Sequence, residues 1–165
     1  MADDLDHVAR IQEQWRRERP DVDISPQAVF GRLHRLADRT RGELEVEFRR
    51  RGLGEGEFDV MAALRRAGPP YELAPGELAR HTMVTTGAAT KRIDRLVAAG
   101  LVTRRVSDDD ARGRVIGLTP AGKRVIDEAF TAHMANEHRL LQPLSEKERR
   151  DLERLLTKWL AAFED

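Results

Sequence analysis

The sequence has no cysteine among its 165 residues, which excludes a disulfide framework, a thiolate zinc site and a thiol-based redox sensor. It also has no apolar run close to the length of about 20 residues that a transmembrane helix needs. No secretory signal pattern is present at its N-terminus. These absences predict a cytoplasmic protein that makes no contact with a membrane.

Motifs of catalysis are missing too. The chain has no glycine-rich phosphate loop, no G-x-S-x-G nucleophile elbow and no thiol nucleophile. His133 and Glu137 stand four residues apart, but no further ligand at metal-binding spacing joins them. The sequence therefore predicts a protein that is not an enzyme and that holds neither a metal ion nor a cofactor.

An excess of one charge is also absent, since 29 basic residues balance 29 acidic ones. The distribution is uneven, however. Residues 61–125 contain 12 basic and 6 acidic side chains, whereas residues 1–60 contain 11 and 14 and residues 126–165 contain 6 and 9. The balanced total conceals a basic central segment between acidic ends, which is typical of a protein that binds nucleic acid.

The basic segment contains the pattern of a helix-turn-helix. Pro75 stands where a first helical residue is tolerated, and it opens a short apolar helix. The pair Thr85 and Thr86 can cap a second helix, and Gly100 supplies the left-handed residue that commonly ends one. The apolar positions between them recur at helical spacing: Ala89, Ile93, Leu96 and Val97. We predict this recognition helix at about residues 86–99.

The outward face of the recognition helix carries the residues expected to contact DNA. At about 100° per residue, Lys91 points away from the apolar stripe, with Ala88 and Arg95 beside it. A small residue lets the helix approach the floor of the major groove, and cations can contact phosphates or guanine edges. The capping threonines lie at the end of the helix that usually enters the groove. The predicted base-side residues are Thr85, Thr86, Ala88, Lys91 and Arg95.

A β-hairpin, or wing, is predicted at residues 101–118, where two short strands flank the polar segment SDDDARG. A narrow A/T-rich minor groove attracts inserted arginine. Arg112 near the tip is the strongest candidate, with Asp110 as a local ion-pair partner. A solvated hairpin without DNA contact is the alternative. The wing arginines are Arg104, Arg105, Arg112 and Arg114.

Helices on both sides of this segment carry more apolar surface than one small winged helix can cover, which favours burial against a second chain. They are an extra helix at 5–18, a long helix at 26–51 and two helices after residue 119. A larger monomeric core is the alternative. We predict a mainly α fold with a small β-wing, built as N-terminal helices at 1–51, a winged helix-turn-helix DNA-binding domain at 52–119 and C-terminal dimerisation helices at 120–165.

This order of elements resembles the MarR family of transcriptional regulators. The most specific features are a wing with D-x-R at Asp110 and Arg112, followed by L-T-P-x-G at Leu118 to Gly122. The resemblance implies a homodimer that binds double-stranded DNA at a pseudo-palindromic operator and usually represses transcription. It also implies release of the DNA when a small ligand binds, often a phenolic or aromatic acid.

A finer resemblance is to the urate-responsive (UrtR-type) branch of that family, which has an extra N-terminal helix with a tryptophan. The matching positions are Trp15, Asp59 in the helix before the helix-turn-helix, and Arg92 in the recognition helix. The resemblance implies that these three residues bind urate or a related purine.

The chemistry of these residues agrees with that implication. Arg92 lies about 80° from the centre of the apolar stripe, so it can reach inward, and a partly buried Asp59 needs a partner. We predict an Asp59–Arg92 pair that an anionic planar ligand disrupts while it stacks on Trp15. The alternatives are a purely structural pair, a regulator that responds to phenolic compounds or to no ligand, and a winged-helix module that binds protein.

Overall fold

The computed structural model describes residues 6–82, 86–106 and 113–164, with the backbone alone at residues 86–89. Within these ranges the chain forms seven helices and three short strands, which confirms the predicted mainly α fold with a small β-wing. The helices are α1 (His7–Glu18), α2 (Gln27–Arg49), α3 (Glu55–Arg66), α4 (Pro75–His81), α5 (Thr86–Ala98), α6 (Pro120–Leu140) and α7 (Glu146–Leu160). The strands are β1 (Glu72–Leu73), β2 (Val102–Val106) and β3 (Arg114–Leu118).

The helix ends lie close to the predicted ones. The extra helix predicted for 5–18 begins at His7, and the long helix predicted for 26–51 spans Gln27–Arg49. The recognition helix predicted for about 86–99 is α5, which ends at Ala98. Differences of one or two residues are ordinary at helix termini. Within the described ranges, no helix has both the length and the apolar character that crossing a bilayer requires.

The chain divides into two compact units, residues 1–43 and 44–165, with the boundary inside α2. In the first unit, the carboxylate of Asp6 accepts a hydrogen bond of 2.8 Å from the backbone N–H of Ala9 and so caps α1. Val8 packs against α2 at Gly31, where an added Cβ would approach Val8 Cγ1 to 2.8 Å. Gly31 therefore allows the close packing of α1 on the start of α2.

The core of the second unit is centred on α3. Val60, Met61 and Leu64 of this helix are fully buried, and apolar side chains from α4, α5, α6 and the wing complete the core around them. Burying an apolar side chain of this size stabilises a fold by about 1.5–3 kcal/mol. The fully buried partners on the surrounding elements are Leu78, Ile116 and Ile126, with Leu96 nearly so.

The strands form an antiparallel sheet in the order β1-β3-β2. The pairing of β2 with β3 is the predicted wing, in a register that places Arg105 opposite Val115. The sequence did not predict β1, because two residues are too short for an alternating pattern. This strand adds Glu72 to the sheet, directly opposite Gly117 of β3.

Thr119 joins the wing to the helix that follows it. Its hydroxyl oxygen accepts a hydrogen bond of 2.9 Å from the N–H of Gly122 and so caps α6. The same hydroxyl donates to the carbonyl oxygen of Gly100 over 2.9 Å. Gly100 has φ +68, the left-handed conformation predicted for the end of the recognition helix. The first turn of α6 is thereby held against the segment between α5 and β2.

Candidate nucleic-acid interface

The recognition helix α5 separates an apolar face from a cationic one. Ile93 and Leu96 are buried in the core, whereas Lys91 and Arg95 are exposed, as the helical wheel predicts. Thr85 lies outside the described residues. At Thr86 and Ala88 the backbone is helical and the side chains lie outside the described part.

Two of the predicted wing arginines are held by carboxylates of neighbouring elements. Arg104 Nη2 lies 2.6 Å from Asp94 Oδ1 of α5. Arg105 Nη2 lies 2.7 Å from Glu72 Oε2 of β1. Exposed Arg114 donates to the carbonyl oxygen of Gly113 over 3.2 Å. The remaining wing arginine, residue 112, lies with its expected aspartate partner outside the described residues.

Arg95 is also near a carboxylate. Its Nη1 lies 3.2 Å from Oε1 of Glu57, but this approach lacks hydrogen-bond geometry, so Oε1 is buried with no hydrogen-bond partner among the described residues. Glu57 Oε2 accepts from the backbone N–H of Gly54 over 3.0 Å and so caps α3. The side chain of Arg95 remains 69% exposed, which leaves it accessible to a phosphate.

Arg92 lies on the inner side of α5, packed over Gly56 of α3. A Cβ added at Gly56 would collide with Cζ and Nε of the Arg92 side chain, so the absence of a side chain at this position makes room for the guanidinium. Nη1 of Arg92 is buried, and among the described residues it has no hydrogen-bond partner. A buried donor left without a partner costs about 1–3 kcal/mol, and an acceptor placed there would recover that energy.

Asp59 lies three residues after Gly56 on α3 and is half-buried. Burial raises the pKa of its carboxyl, and the charge of Glu55 raises it further, while Arg92, Arg66 and His133 oppose the shift. The predicted direct Asp59–Arg92 pair is not formed: within the described ranges, no salt bridge or hydrogen bond joins the two side chains. Arg92 packs over the preceding turn of α3 and acts on Asp59 only through its electrostatic field.

Trp15 belongs to the first compact unit, whereas Asp59 and Arg92 belong to the second. Its side chain is 47% exposed and lines a cavity of about 380 Å³. Gln27 also lines this cavity, and its buried Oε1 atom has no hydrogen-bond partner in the described part of the chain. Joint action of Trp15 with Asp59 and Arg92 remains a prediction. The other lining residues are Arg19, Val22, Asp23, Ile24 and Pro26.

His133 has a packing role. Its ring lies 5.2 Å from that of Phe48 and 5.0 Å from that of Phe58, centroid to centroid. Its Nε2 atom lies 3.1 Å from Oε1 of Glu137. Within the described ranges, no three histidine, aspartate or glutamate side chains come together as a set of metal ligands.

The raised pKa of Asp59 predicts that this carboxylate destabilises the fold. When the folded pKa of an acid is above the unfolded one, ionisation is disfavoured in the folded state, so stability is lost as the pH rises through the folded pKa. We therefore expect Asp59→Asn to raise the Tm at pH 7 and expect the gain to vanish below about pH 3.8, the ordinary value. Thermal unfolding followed by circular dichroism across this range measures the effect.

Asp127→Asn is the matched control for that experiment. Arg65, 2.6 Å away, holds the pKa of the Asp127 carboxyl below its ordinary value by hydrogen bonding. Its replacement should leave the Tm at pH 7 unchanged or lower it. A lower Tm for Asp59→Asn at pH 7 would show that this carboxylate stabilises the fold.

Comparison with known proteins identifies this arrangement. The sequence profile of the MarR family matches residues 51–113, a range that begins just before α3 and ends within the wing. The HTH-type transcriptional regulator PecS of Dickeya dadantii is 38% identical over 149 residues, which cover 90% of this chain and 90% of PecS. The protein belongs to the MarR family.

Two further proteins are similar in sequence or in fold. The HTH-type transcriptional repressor YetL of Bacillus subtilis is 29% identical over 129 residues, or 78% of this chain and 77% of YetL. The crystal structure of a mutant Escherichia coli MarR in complex with operator DNA superposes with a TM-score of 0.71 at 27% identity, covering 84% of this chain and 99% of that one. These relatives are transcriptional regulators and not enzymes. The protein is thus a DNA-binding transcriptional regulator of the MarR type.

Proposed function

We propose that the protein is a homodimeric, ligand-responsive repressor in the cytoplasm that binds a pseudo-palindromic operator. A small anionic aromatic compound, such as urate or another purine, releases it from the DNA. The observation that supports the ligand response is the buried Nη1 atom of Arg92 on the recognition helix, for which the described residues provide no hydrogen-bond partner.

The DNA contacts follow from the two exposed cations of α5 and from the wing. Lys91 and Arg95 project from the face opposite the buried Ile93 and Leu96, which suits a helix lying in the major groove. The arginines of the wing suit phosphate and minor-groove contacts. The proposed DNA-binding residues are Thr85, Thr86, Ala88, Lys91, Arg95, Arg104, Arg105, Arg112 and Arg114.

A homodimer is supported by apolar side chains that this chain alone leaves exposed. Helix α7 contains no buried residue, although it carries an apolar stripe. Large exposed apolar surfaces usually mark an interface, and two copies of the chain would present two recognition helices to a two-fold symmetric operator. The exposed large apolar residues on α7 and just after it are Leu152, Leu155, Leu156, Leu160 and Phe163.

The ligand site centres on Arg92 and Asp59. An anionic ligand can accept a hydrogen bond from the buried Nη1 of Arg92, and burial already disfavours the ionised form of Asp59. A purine also carries N–H groups that can donate hydrogen bonds to a carboxylate. Because Arg92 lies on α5, a ligand that moves its side chain changes the position of the recognition helix and hence the affinity for DNA.

The test is to measure binding to the DNA immediately upstream of the protein's own gene, with and without urate, xanthine and salicylate. We expect urate or xanthine to weaken binding by the wild type about 5- to 150-fold. Arg92→Ala should bind DNA and lose this response. Lys91→Ala should bind more weakly and keep it, since Lys91 faces outward.

Arg124→Ala is the matched control, because it removes an exposed arginine of α6 outside the proposed sites. Release by salicylate alone would support the phenolic alternative. Tight DNA binding that none of the three compounds weakens would refute the proposed ligand class. Absence of salt-dependent retention on any duplex would favour a protein-binding module, because phosphate contacts make affinity fall steeply with salt.

A further inference from the structure

Strand β2 of the wing is held by a carboxylate on each of its two faces. Consecutive side chains of a strand point to opposite faces of the sheet. Arg104 reaches Asp94 of the recognition helix, with 2.6 Å between Nη2 and Oδ1. Its neighbour Arg105 reaches Glu72 of β1, with 2.7 Å between Nη2 and Oε2.

Glu72 reaches Arg105 by crossing over β3. This strand lies between β1 and β2 in the sheet, and Glu72 is in register with Gly117 at the crossing point. A Cβ at Gly117 would lie 2.9 Å from Cγ and 3.1 Å from Oε1 of Glu72. The missing side chain at Gly117 thus makes room for the glutamate, whose two oxygens accept from Nε over 3.3 Å and from Nη2 over 2.7 Å.

We propose that Glu72 and Asp94 are positioning residues that withhold Arg105 and Arg104 from phosphates and thereby suppress binding to DNA of unrelated sequence. Affinity for unrelated DNA depends on how many phosphates the protein neutralises. An arginine held by a carboxylate must first exchange that partner for a phosphate. On an operator the closely docked wing favours the exchange, whereas the looser complex on unrelated DNA does not. The inference rests on the DNA-binding function described above.

The experiment measures the affinity for the upstream duplex and for an unrelated duplex of equal length, over a series of salt concentrations. We expect Glu72→Gln and Asp94→Asn each to tighten binding to the unrelated duplex about 2- to 5-fold, the range of an exposed ion pair. In Asp94→Asn, which releases Arg104, the slope of log Kobs against log salt should steepen by about 0.9, and in Glu72→Gln it should steepen in the same direction. Binding to the upstream duplex should tighten less, so specificity falls.

Two further comparisons separate release of an arginine from a simple change in net charge. Glu77→Gln removes the same charge from α4, where Glu77 accepts from the N–H of Ala74 over 3.1 Å and, among the described residues, pairs with no arginine. It should leave the salt slope unchanged. In the double variants Glu72→Gln/Arg105→Ala and Asp94→Asn/Arg104→Ala, the effect of removing the carboxylate should disappear, because it acts through the arginine.

Gly117→Ala provides an independent test, since its methyl group should displace Glu72 and reproduce the effect of Glu72→Gln. Unchanged salt slopes in both carboxylate variants, with DNA binding intact, would overturn the proposal and assign the pairs a purely structural role. Equal weakening on both duplexes would overturn it as well. If the wild type bound neither duplex, the DNA-binding function itself would fail, and this outcome is distinguishable from the other two.

Discussion

Replacing Gly122 with alanine is expected to lower the free energy of unfolding by about 3 kcal/mol or more. A Cβ at this position would collide with the carbonyl oxygen of Leu101 and lie 2.8 Å from its carbonyl carbon. Both obstacles are backbone atoms, so no side chain can rotate away. Thr119 holds the two segments together through its hydrogen bonds to Gly122 and Gly100. Urea unfolding and thermal unfolding measure this loss of stability.

Gly42→Ala is the control, because Gly42 lies inside α2 and an added Cβ there would meet nothing within 4 Å. Alanine is favoured over glycine in a helix by about 1 kcal/mol, so this variant should be as stable as the wild type or more so. Equal stability of Gly122→Ala and the wild type would contradict the close approach of α6 to Leu101. Loss of DNA binding should accompany unfolding, since the same contact anchors the wing.

The contact at Gly122 also explains why a short motif predicts so much of the fold. In L-T-P-x-G the threonine caps α6, the proline occupies its first position and the glycine permits the approach to Leu101. Such local requirements are visible in a sequence. Helical spacing likewise predicted the orientation of α5, with Lys91 outward and Arg92 at the edge of the core.

Contacts between side chains on different helices and strands could not be predicted in this way. A helical wheel gives the direction of Arg92 but not the distance to α3, so it predicted a direct pair with Asp59 and missed the packing over Gly56. The pairing of Glu72 with Arg105 was not predicted because Glu72 lies on a two-residue strand and reaches Arg105 across a third strand. The chain contains 29 acidic residues, and only the tertiary structure selects which of them meet the arginines of the wing.

The proposed homodimer leads to the prediction with the largest effect on function. Leu155 and Leu160 of α7 are 53% and 55% exposed. Leu155→Glu combined with Leu160→Glu would place two carboxylates in the proposed interface, where each lacks a partner. We expect a monomer, and we expect affinity for the operator to fall about 100-fold or more, because two tethered DNA-binding domains gain about 10²–10⁴ in affinity over one.

Sedimentation or light scattering measures the oligomeric state, and titration of the upstream duplex measures the loss of affinity. Lys158→Glu is the matched control, because Lys158 is exposed on α7 away from the apolar stripe and its replacement changes the net charge by the same two units. It should remain dimeric and bind DNA nearly as well as the wild type. The second compact unit folds around a core centred on α3. The monomeric double variant should therefore keep the circular dichroism spectrum of a folded protein and retain weak binding to unrelated DNA.

A wild type that is monomeric at micromolar concentration and still binds the operator tightly would refute the proposed dimer. Helix α7 would then need another partner for its apolar face.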